Sequence, residues 1–436
     1  MFADHLRTAL RALCASPVLT LLMLLALGLG IGACMTTLTV YRVLAADPIP
    51  GKSQLLYEVQ IDAGDLVDYT PGEEPQFQLT RFDAEALLRE AQAPRQTLMS
   101  GANLGVVRET PGAEPFFVEA RYASSDFFAM FEAPLAQGRS WTLEEDRDAA
   151  RVVVIGSELA RQLFGDETTA VGQPVQVRGQ SFQVIGVIKP WPLSPMFFDF
   201  TIGPYGRNQQ LWLPFSSAMA AKFGRSGNMN CWGDGAGADG PLGLKAQCAW
   251  VQYWVELPNA QAAASYKNYL ERYSEAQRTA GRFQRPVNVR LRNVPQVLDH
   301  YRAVPDDVRL QAFLAFGFLG VCLVNMAGLL LAKTLRRAGE IGIRRALGAS
   351  RRTVFTQFLV EAGLVGLLGS ALGALLSLAG LWAVRQGPSS YAQLAQMDPN
   401  QLGLTLLLGL AAALLAGLLP AWRATLVSPA QQLKVQ

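Results

Sequence analysis

The chain has 436 residues, 50% of them hydrophobic and 17% charged, with a formal net charge of +3. These averages fit either a soluble enzyme or a membrane protein with a large water-exposed part, so the distribution of the residues has to decide. The basic residues cluster beside long apolar runs, and this position excludes nucleic acid as the predicted partner.

Four apolar runs stand out, at 12–41, 310–332, 353–384 and 399–422. The third contains Glu361, and the other three contain no charged residue. A helix rises about 1.5 Å per residue, so about 20 residues cross a hydrocarbon core of about 30 Å. The sequence therefore predicts four transmembrane helices, at 17–45, 310–333, 353–384 and 401–422. An amphipathic segment at 1–16 precedes the first, which is too long for a cleaved signal peptide.

Basic residues beside these helices predict their orientation. Arg7 and Arg11 precede the first helix, and Lys333 with six arginines separates the second from the third. Arg423 and Lys434 follow the fourth helix. Because basic residues are enriched in short cytosolic segments, both termini are predicted to be cytosolic.

This orientation predicts a multi-pass protein of the bacterial inner membrane. The cytosolic segments would be 1–16, 334–352 and 423–436, and the periplasmic segments 46–309 and 385–400. The arginine-rich cytosolic segment would also attract anionic membrane lipid.

The predicted periplasmic domain, 46–309, mixes strand and helix patterns. RVVVIG, QPVQVRG and SFQVIGVI predict strands, and SELARQLFG predicts a helix with a serine N-cap and a glycine stop. VQYWVEL and VNVRLRNV predict strands around a long helix. We expect an α+β fold in two subdomains that divide near KPWPLSPMFFDF, with an irregular insertion at about 196–249.

Two cysteines of this domain, Cys231 and Cys248, flank a glycine-rich stretch. A disulfide between them would close the loop in an oxidising compartment and contribute about 3 kcal/mol in the chain-entropy model. The alternative is that both cysteines are buried free thiols. A zinc site is less favoured, because the only histidines are His5 and His300.

Motifs for catalysis are missing. The sequence has no G-x-x-x-x-G-K-[ST] nucleotide loop, no H-E-x-x-H, no G-x-S-x-G and no metal-ligand spacing. The chain is therefore expected to be no enzyme and to hold no cofactor or metal.

Glycines inside the apolar runs indicate helix packing. Gly28 and Gly32 form a GxxxG pattern, and so do Gly369 and Gly373. Small residues at this spacing let two membrane helices approach closely. The same runs contain ALGLGIGA, which resembles a nucleotide loop but lies within a predicted membrane helix.

The segment RRAGEIGIRRALGASRR, residues 336–352, holds six arginines and one acid, Glu340. Residues 340–347 favour a short helix that ends at Gly348, and Ser350 can cap the next helix. On such a helix Glu340 can pair with Arg344, four residues later.

Ile341 and Ile343 cannot lie on the same face of this short helix. One is expected to meet lipid and the other a partner. A short helix fixed to two membrane helices is suited to act as a lever for an external motor.

Several stretches resemble the MacB/FtsX-type ABC transporter permease family: LRTALRALCASPVLTLLMLLALGLGIGA, YASSDFFAMFEAPLAQGRSW, VIGSELARQLFGDETTAVGQPVQVRGQSFQVIGVIKP and AGEIGIRRALGASRRTVFTQFLVEAGLVGLLGSALG. The resemblance implies an α-helical membrane protein with four transmembrane helices and a large α+β periplasmic domain between the first and second. It also implies a dimer, made with itself or with a second permease chain.

The resemblance further implies a cytosolic ABC ATPase partner that binds ATP and Mg. The family's best-known members carry a fused ATPase, so here a separate subunit is expected. The coupling helix that contacts it would contain Glu340, Ile341, Ile343, Arg344, Arg345 and Gly348.

Three functions remain open at this point. The first is export of a periplasmic peptide, lipopeptide or antibiotic with an adaptor and an outer-membrane channel. The second is regulation of a cell-wall hydrolase, and the third is lipoprotein extraction from the inner membrane. The size and core motifs of the domain favour export over hydrolase regulation.

Two polar residues lie within the predicted membrane helices. Glu361 could bind an arginine of the coupling segment and relay motion, or simply face the interface or a wet groove. Asn325 is expected to form a hydrogen bond between helices rather than to bind a substrate.

Overall fold

A computed structural model describes residues 2–108, 114–191, 194–203, 205, 208–233, 235, 238–387 and 392–426. Parts of the predicted loop 385–400 and tail 423–436 lie outside these residues, and so does Lys434. The chain divides into two compact units, a helical unit of residues 1–45 with 304–436 and a domain of residues 46–303.

The helices and strands are as follows in chain order. The helices are α1 Phe2–Cys14, α2 Pro17–Leu44, α3 Arg81–Glu90, α4 Phe127–Met130, α5 Leu143–Arg147, α6 Ser157–Phe164, α7 Phe215–Ala220, α8 Ala260–Thr279, α9 Val294–His300, α10 Asp306–Arg336, α11 Ala338–Ala346, α12 Arg351–Arg385 and α13 Pro399–Thr425. The strands are β1 Leu56–Ile61, β2 Leu79–Thr80, β3 Arg95–Arg108, β4 Phe116–Ala123, β5 Leu135–Gly138, β6 Val152–Gly156, β7 Pro174–Val177, β8 Gln180–Ile188, β9 Leu211–Pro214, β10 Asn230–Cys231, β11 Cys248–Glu256 and β12 Val289–Asn293.

Four helices of the helical unit, α2, α10, α12 and α13, are long and apolar enough to cross a membrane. The second, α10, begins at Asp306, four residues before the predicted start. Pro305 is the N-cap residue of this helix. The fourth begins at Pro399, with the Asp398 side chain accepting a hydrogen bond from the Gln401 N–H at 2.6 Å. The predicted fold class is therefore confirmed: four membrane helices with an α+β domain between the first and second.

The described strands of the domain form one twelve-stranded sheet in the order β12-β1-β11-β3-β4-β9-β6-β8-β5, with β2, β7 and β10 paired off this path. Neighbouring residues of a strand enter opposite cores, as Val153 and Val154 do, because side chains alternate across a strand. Helices α3, α6 and α8 contribute to one core, and α4 and α9 to the other. The sheet is thus covered on both faces.

Two predictions about this domain are wrong. Residues 46–303 form one unit, and Phe197 and Phe198, at the expected subdomain boundary, are buried in a core. The expected irregular insertion contains strand β9, which pairs with β4 and β6 inside the sheet. Four apolar residues are too short a pattern to predict a strand without its neighbours.

The helix α6 also differs from its prediction at its start. Gly156 is the N-cap, and Ser157 is already helical, with its hydroxyl buried and unpaired. The glycine stop is confirmed, because Gly165 follows the helix with φ of +82°.

Candidate functional site

The predicted coupling segment, 334–352, contains a short helix, α11, that is joined closely to both neighbouring helices. Arg337 is both the C-cap of α10 and the N-cap of α11, so a single residue separates the two helices. Gly348 follows the end of α11 with φ of +102°, a conformation that favours glycine. The Ser350 hydroxyl then accepts a hydrogen bond from the Thr353 N–H at 3.2 Å and caps α12. The sequence-predicted turn and cap are both present.

Glu340 is paired on the exposed side of α11. Arg344 donates to one carboxylate oxygen at 2.6 Å, and Arg337 donates to the other at 3.1 Å. Partial burial opposes ionisation, but the hydrogen bond from Arg337 and the two positive charges hold the pKa of the Glu340 carboxyl below its usual value. The predicted pair with Arg344 is therefore formed, as an exposed pair of small energetic weight, about 0–1 kcal/mol.

The two isoleucines of α11 lie on different sides, but not as expected. Ile341 is 6% exposed and packs against Val354 and Phe358 of α12, so the chain itself covers this side chain, which was expected to meet lipid or a partner. Ile343 is 55% exposed and Leu347 is 84% exposed. These two side chains form the apolar surface that α11 presents outward.

Arg345 faces the interior side of α11. Its guanidinium donates to the Thr425 carbonyl oxygen at 2.9 Å, at the end of α13. This bond satisfies a carbonyl that a helix end leaves unpaired. Arg345 therefore fastens α11 to the fourth membrane helix.

A buried ion cluster connects α10 and α12 at the junction with α11. The Lys333 Nζ of α10 lies 2.5 Å from one carboxylate oxygen of Glu361 in α12, and Arg337 Nη1 lies 3.5 Å from the other. Lys333 and Glu361 are 3% and 1% exposed. The contacts are ion pairs without aligned hydrogen bonds. Sequence reasoning anticipated an arginine partner for Glu361 but not the lysine.

The two glycine pairs face each other across α2 and α12. A Cβ at Gly28 would lie 2.8 Å from the Leu372 side chain, and one at Gly369 would lie 2.7 Å from Leu27. A Cβ at Gly373 would lie 3.2 Å from the backbone oxygen of Gly28. Gly32 likewise contacts Leu376, with a hypothetical Cβ at 2.8 Å. The small residues therefore bring these two helices into backbone contact.

Asn325 does not form the interhelical bond predicted for it. Its side chain is exposed on α10 and has no hydrogen-bond partner within the described part of the chain. Within the helical unit, α10 packs mainly on α2 and α13, and Asn325 lies on its outer side.

Cys231 and Cys248 are joined by a disulfide, with their sulfur atoms 2.01 Å apart. The two residues are also direct partners between β10 and β11. The bond thus anchors the glycine-rich loop to the sheet. No group of three potential metal ligands occurs among the residues the structure describes.

Removal of this disulfide is expected to destabilise the domain. The variant Cys231→Ser/Cys248→Ser should lose about 3 kcal/mol of unfolding free energy, because the open loop gains conformational freedom in the unfolded chain. Thermal unfolding measures the loss, and alkylation with mass spectrometry under non-reducing conditions counts the free thiols. Two alkylated thiols at these positions in the unmodified protein would contradict the bond.

Sequence reasoning missed the buried charges of the domain. Arg121 of β4 donates to Asp199 at 2.9 Å, and both side chains are fully buried. Gln209 accepts from the same guanidinium at 2.9 Å. The partners are 78 and 88 residues away in the chain, so only the folded sheet brings them together.

Comparisons with known proteins agree with this architecture. Residues 20–273 match the profile of the MacB-like periplasmic core domain, and residues 312–429 match that of the FtsX-like permease C-terminal domain. The chain is similar to the macrolide export ATP-binding/permease protein MacB of Salmonella typhi, with 26% identity over 86% of this chain and 52% of that protein. It is 26% identical to the protein of the same name from Shigella flexneri, over 99% of this chain and 60% of that one. The chain thus spans about half the length of the curated relatives it matches.

Solved structures similar to this chain include the periplasmic region of MacB from Actinobacillus actinomycetemcomitans. That structure is 14% identical and covers 60% of this chain and 99% of its own, with a TM-score of 0.37. The extracellular domain of the transporter YknZ from Gram-positive bacteria is 15% identical and covers 55% of this chain and 100% of its own, with a TM-score of 0.35. The core-domain profile alone matches more than half of the residues, and the permease profile matches the last three membrane helices. The chain belongs to the MacB/FtsX-type family of ABC transporter permeases.

Proposed function

We propose that this chain transmits ATP-driven motion from a separate cytosolic ATPase subunit to its α+β domain in the periplasm. ATP and Mg would bind the ATPase and not this chain. The motion would drive export of a periplasmic peptide, lipopeptide or antibiotic, with an adaptor and an outer-membrane channel. The export function stated in the names of the relatives supports this choice over hydrolase regulation or lipoprotein extraction.

The observation that carries the proposal is the way α11 is fixed to the membrane helices. The ion cluster of Lys333, Glu361 and Arg337 joins α10, α11 and α12 at one point. Arg345 adds a bond to α13, and Ile341 packs between the helices. A force on α11 would therefore move three membrane helices rather than bend a loop.

The outer face of α11 supports a docking role. Ile343 and Leu347 are exposed apolar side chains, and the exposed pair of Glu340 and Arg344 lies beside them. Interfaces between proteins combine an apolar centre with a polar, charged rim. In the proposed orientation this face would point into the cytosol and contact the ATPase.

Asn325 supports assembly with a second permease chain. A polar side chain facing lipid is costly unless it finds a hydrogen-bond partner. The Asn325 side chain is exposed on α10. A neighbouring chain, either a second copy or a related permease, would supply its hydrogen-bond partner.

An alanine inserted after Gly342 tests the coupling role. One added residue rotates the rest of α11 by about 100°, so Ile343 and Leu347 would leave the docking face and Arg344 would lose Glu340. We expect normal membrane insertion, but loss of the permease's effect on partner ATP hydrolysis and of macrolide resistance in cells. A matched control is Gly339→Ala on the same helix, where an added Cβ meets nothing within 4 Å. Unimpaired resistance in the insertion variant would refute the coupling role.

A further inference from the structure

A cavity of about 510 Å³ opens in the α+β domain where α3, α5, α7 and β3 meet. This volume lies within the range of about 300–1,000 Å³ that is usual for small-molecule sites. The apolar residues that line it are Leu88, Leu98, Leu143, Phe215, Met219 and Ala220. The apolar surface alone would suit a hydrocarbon chain.

The acidic groups of this cavity already have partners. Glu85 accepts a hydrogen bond from Arg81 at 2.6 Å. Asp146 is buried and accepts from the Ser216 hydroxyl at 2.9 Å and from the Ser216 N–H at 3.4 Å, at the start of α7. Burial raises the pKa of the Asp146 carboxyl to about 6 against the effect of these hydrogen bonds, and the charge of Glu85 adds to the rise. The acids therefore offer little to a cationic ligand.

The basic groups of the cavity are not all neutralised. Arg89 and Arg147 line it, and both are exposed. Among the residues that the structure describes, neither has an ion-pair partner. Arg81 is occupied by Glu85 and by the Leu242 carbonyl. The mouth of an apolar cavity thus carries two free positive charges, which is the charge pattern complementary to an anionic amphiphile.

We propose that this cavity binds an amphiphile with one anionic headgroup, such as a long-chain carboxylate. The apolar chain lies against Leu98, Phe215 and Met219, and the headgroup pairs with Arg89 and Arg147. The proposal does not depend on the coupling role of α11, because the cavity lies wholly within the α+β domain.

The test uses the full chain in phosphatidylcholine nanodiscs and a twelve-carbon carboxylate that carries a diazirine near its chain end. Light-induced crosslinks, mapped by peptide mass spectrometry, should fall on the residues of β3 and α7 that line the cavity. Arg89→Glu/Arg147→Glu should reduce this labelling by about tenfold, because it replaces two positive charges that attract the headgroup by two negative charges that repel it. Ala220→Trp, which fills the mouth, should reduce it as well.

The matched control is Lys189→Glu/Arg272→Glu. It makes the same change of net charge at two exposed residues without an ion pair in the described chain, and it should leave the labelling unchanged. The diazirine placed on phosphatidylglycerol in the same discs separates the two sources of the ligand. Labelling by that lipid identifies the bilayer as the source, and labelling by the free carboxylate alone identifies a detached amphiphile; both support the proposal.

Two results would overturn it. One is equal labelling of the cavity by the corresponding twelve-carbon amine, which would show that the cavity does not distinguish an anionic from a cationic headgroup. The other is undiminished labelling by the carboxylate in the double-glutamate variant, with melting temperature showing that the variant is folded.

Discussion

Glu361→Gln is expected to lower the stability of the helical unit by about 3–5 kcal/mol, because it leaves Lys333 buried without its counter-charge. Lys333 is 3% exposed, and its Nζ lies 2.5 Å from the Glu361 carboxylate. Thermal unfolding in detergent measures the loss. Glu340→Gln is the control: its carboxylate is paired but exposed, so its loss should cost about 0–1 kcal/mol. Equal melting of Glu361→Gln and the unmodified protein would show that the buried pair does not form.

A double variant separates the stabilising role of this cluster from a relay role. Lys333→Met/Glu361→Leu replaces the pair by apolar side chains, and such replacements of buried ion pairs are often neutral or stabilising. We therefore expect stability to recover. If Glu361 relays motion through Arg337, the double variant should be stable and yet have a weaker effect on partner ATP hydrolysis than the unmodified permease. If both stability and the effect on ATP hydrolysis match those of the unmodified protein, the cluster contributes to packing and does not relay motion.

Gly373→Leu is expected to separate α2 from α12. A Cβ at this position would lie 2.8 Å from the Ile31 side chain and 3.2 Å from the Gly28 backbone oxygen, and backbone cannot move aside as a flexible side chain can. Overpacking of this kind costs about 1–3 kcal/mol. A lower melting temperature, and loss of a disulfide crosslink engineered between α2 and α12, would report the separation.

The control for this prediction lies on another membrane helix. Gly320 of α10 has open space around its hypothetical Cβ, so Gly320→Leu adds the same side chain without a clash. It should melt like the unmodified protein. A similar fall in the melting temperature of both variants would mean that leucine disturbs membrane insertion in general. It would contradict a specific role of Gly373 in the contact between α2 and α12.

Local patterns in the sequence account for much of what was predicted. The membrane helices follow from uncharged runs longer than a bilayer needs, and the end of α11 follows from Gly348 and the Ser350 cap. These features depend on residues that are neighbours in the sequence. They can therefore be predicted without knowledge of the tertiary structure.

The rest depends on contacts between distant residues. Lys333 reaches Glu361 only because α10 and α12 pack in one register, and Ile341 is buried by the same packing. Strand β9 has four residues and is held by β4 and β6, which lie far from it in sequence. The cavity of the domain is lined by residues of α3, α5 and α7, which are far apart in the sequence. None of these neighbours is visible in a single sequence.

The proposed coupling role requires that α11 face the cytosol. Leu347→Cys, at an 84% exposed position, tests this in a chain whose Cys14, Cys34 and Cys322 are replaced by serine. A membrane-impermeant maleimide is applied to spheroplasts and to inside-out vesicles, with Lys267→Cys in the α+β domain as the opposite-side control. We predict that Leu347→Cys reacts only in inside-out vesicles and Lys267→Cys only in spheroplasts. Reaction of Leu347→Cys in sealed spheroplasts would place the coupling helix beyond the reach of any cytosolic ATPase and contradict the account.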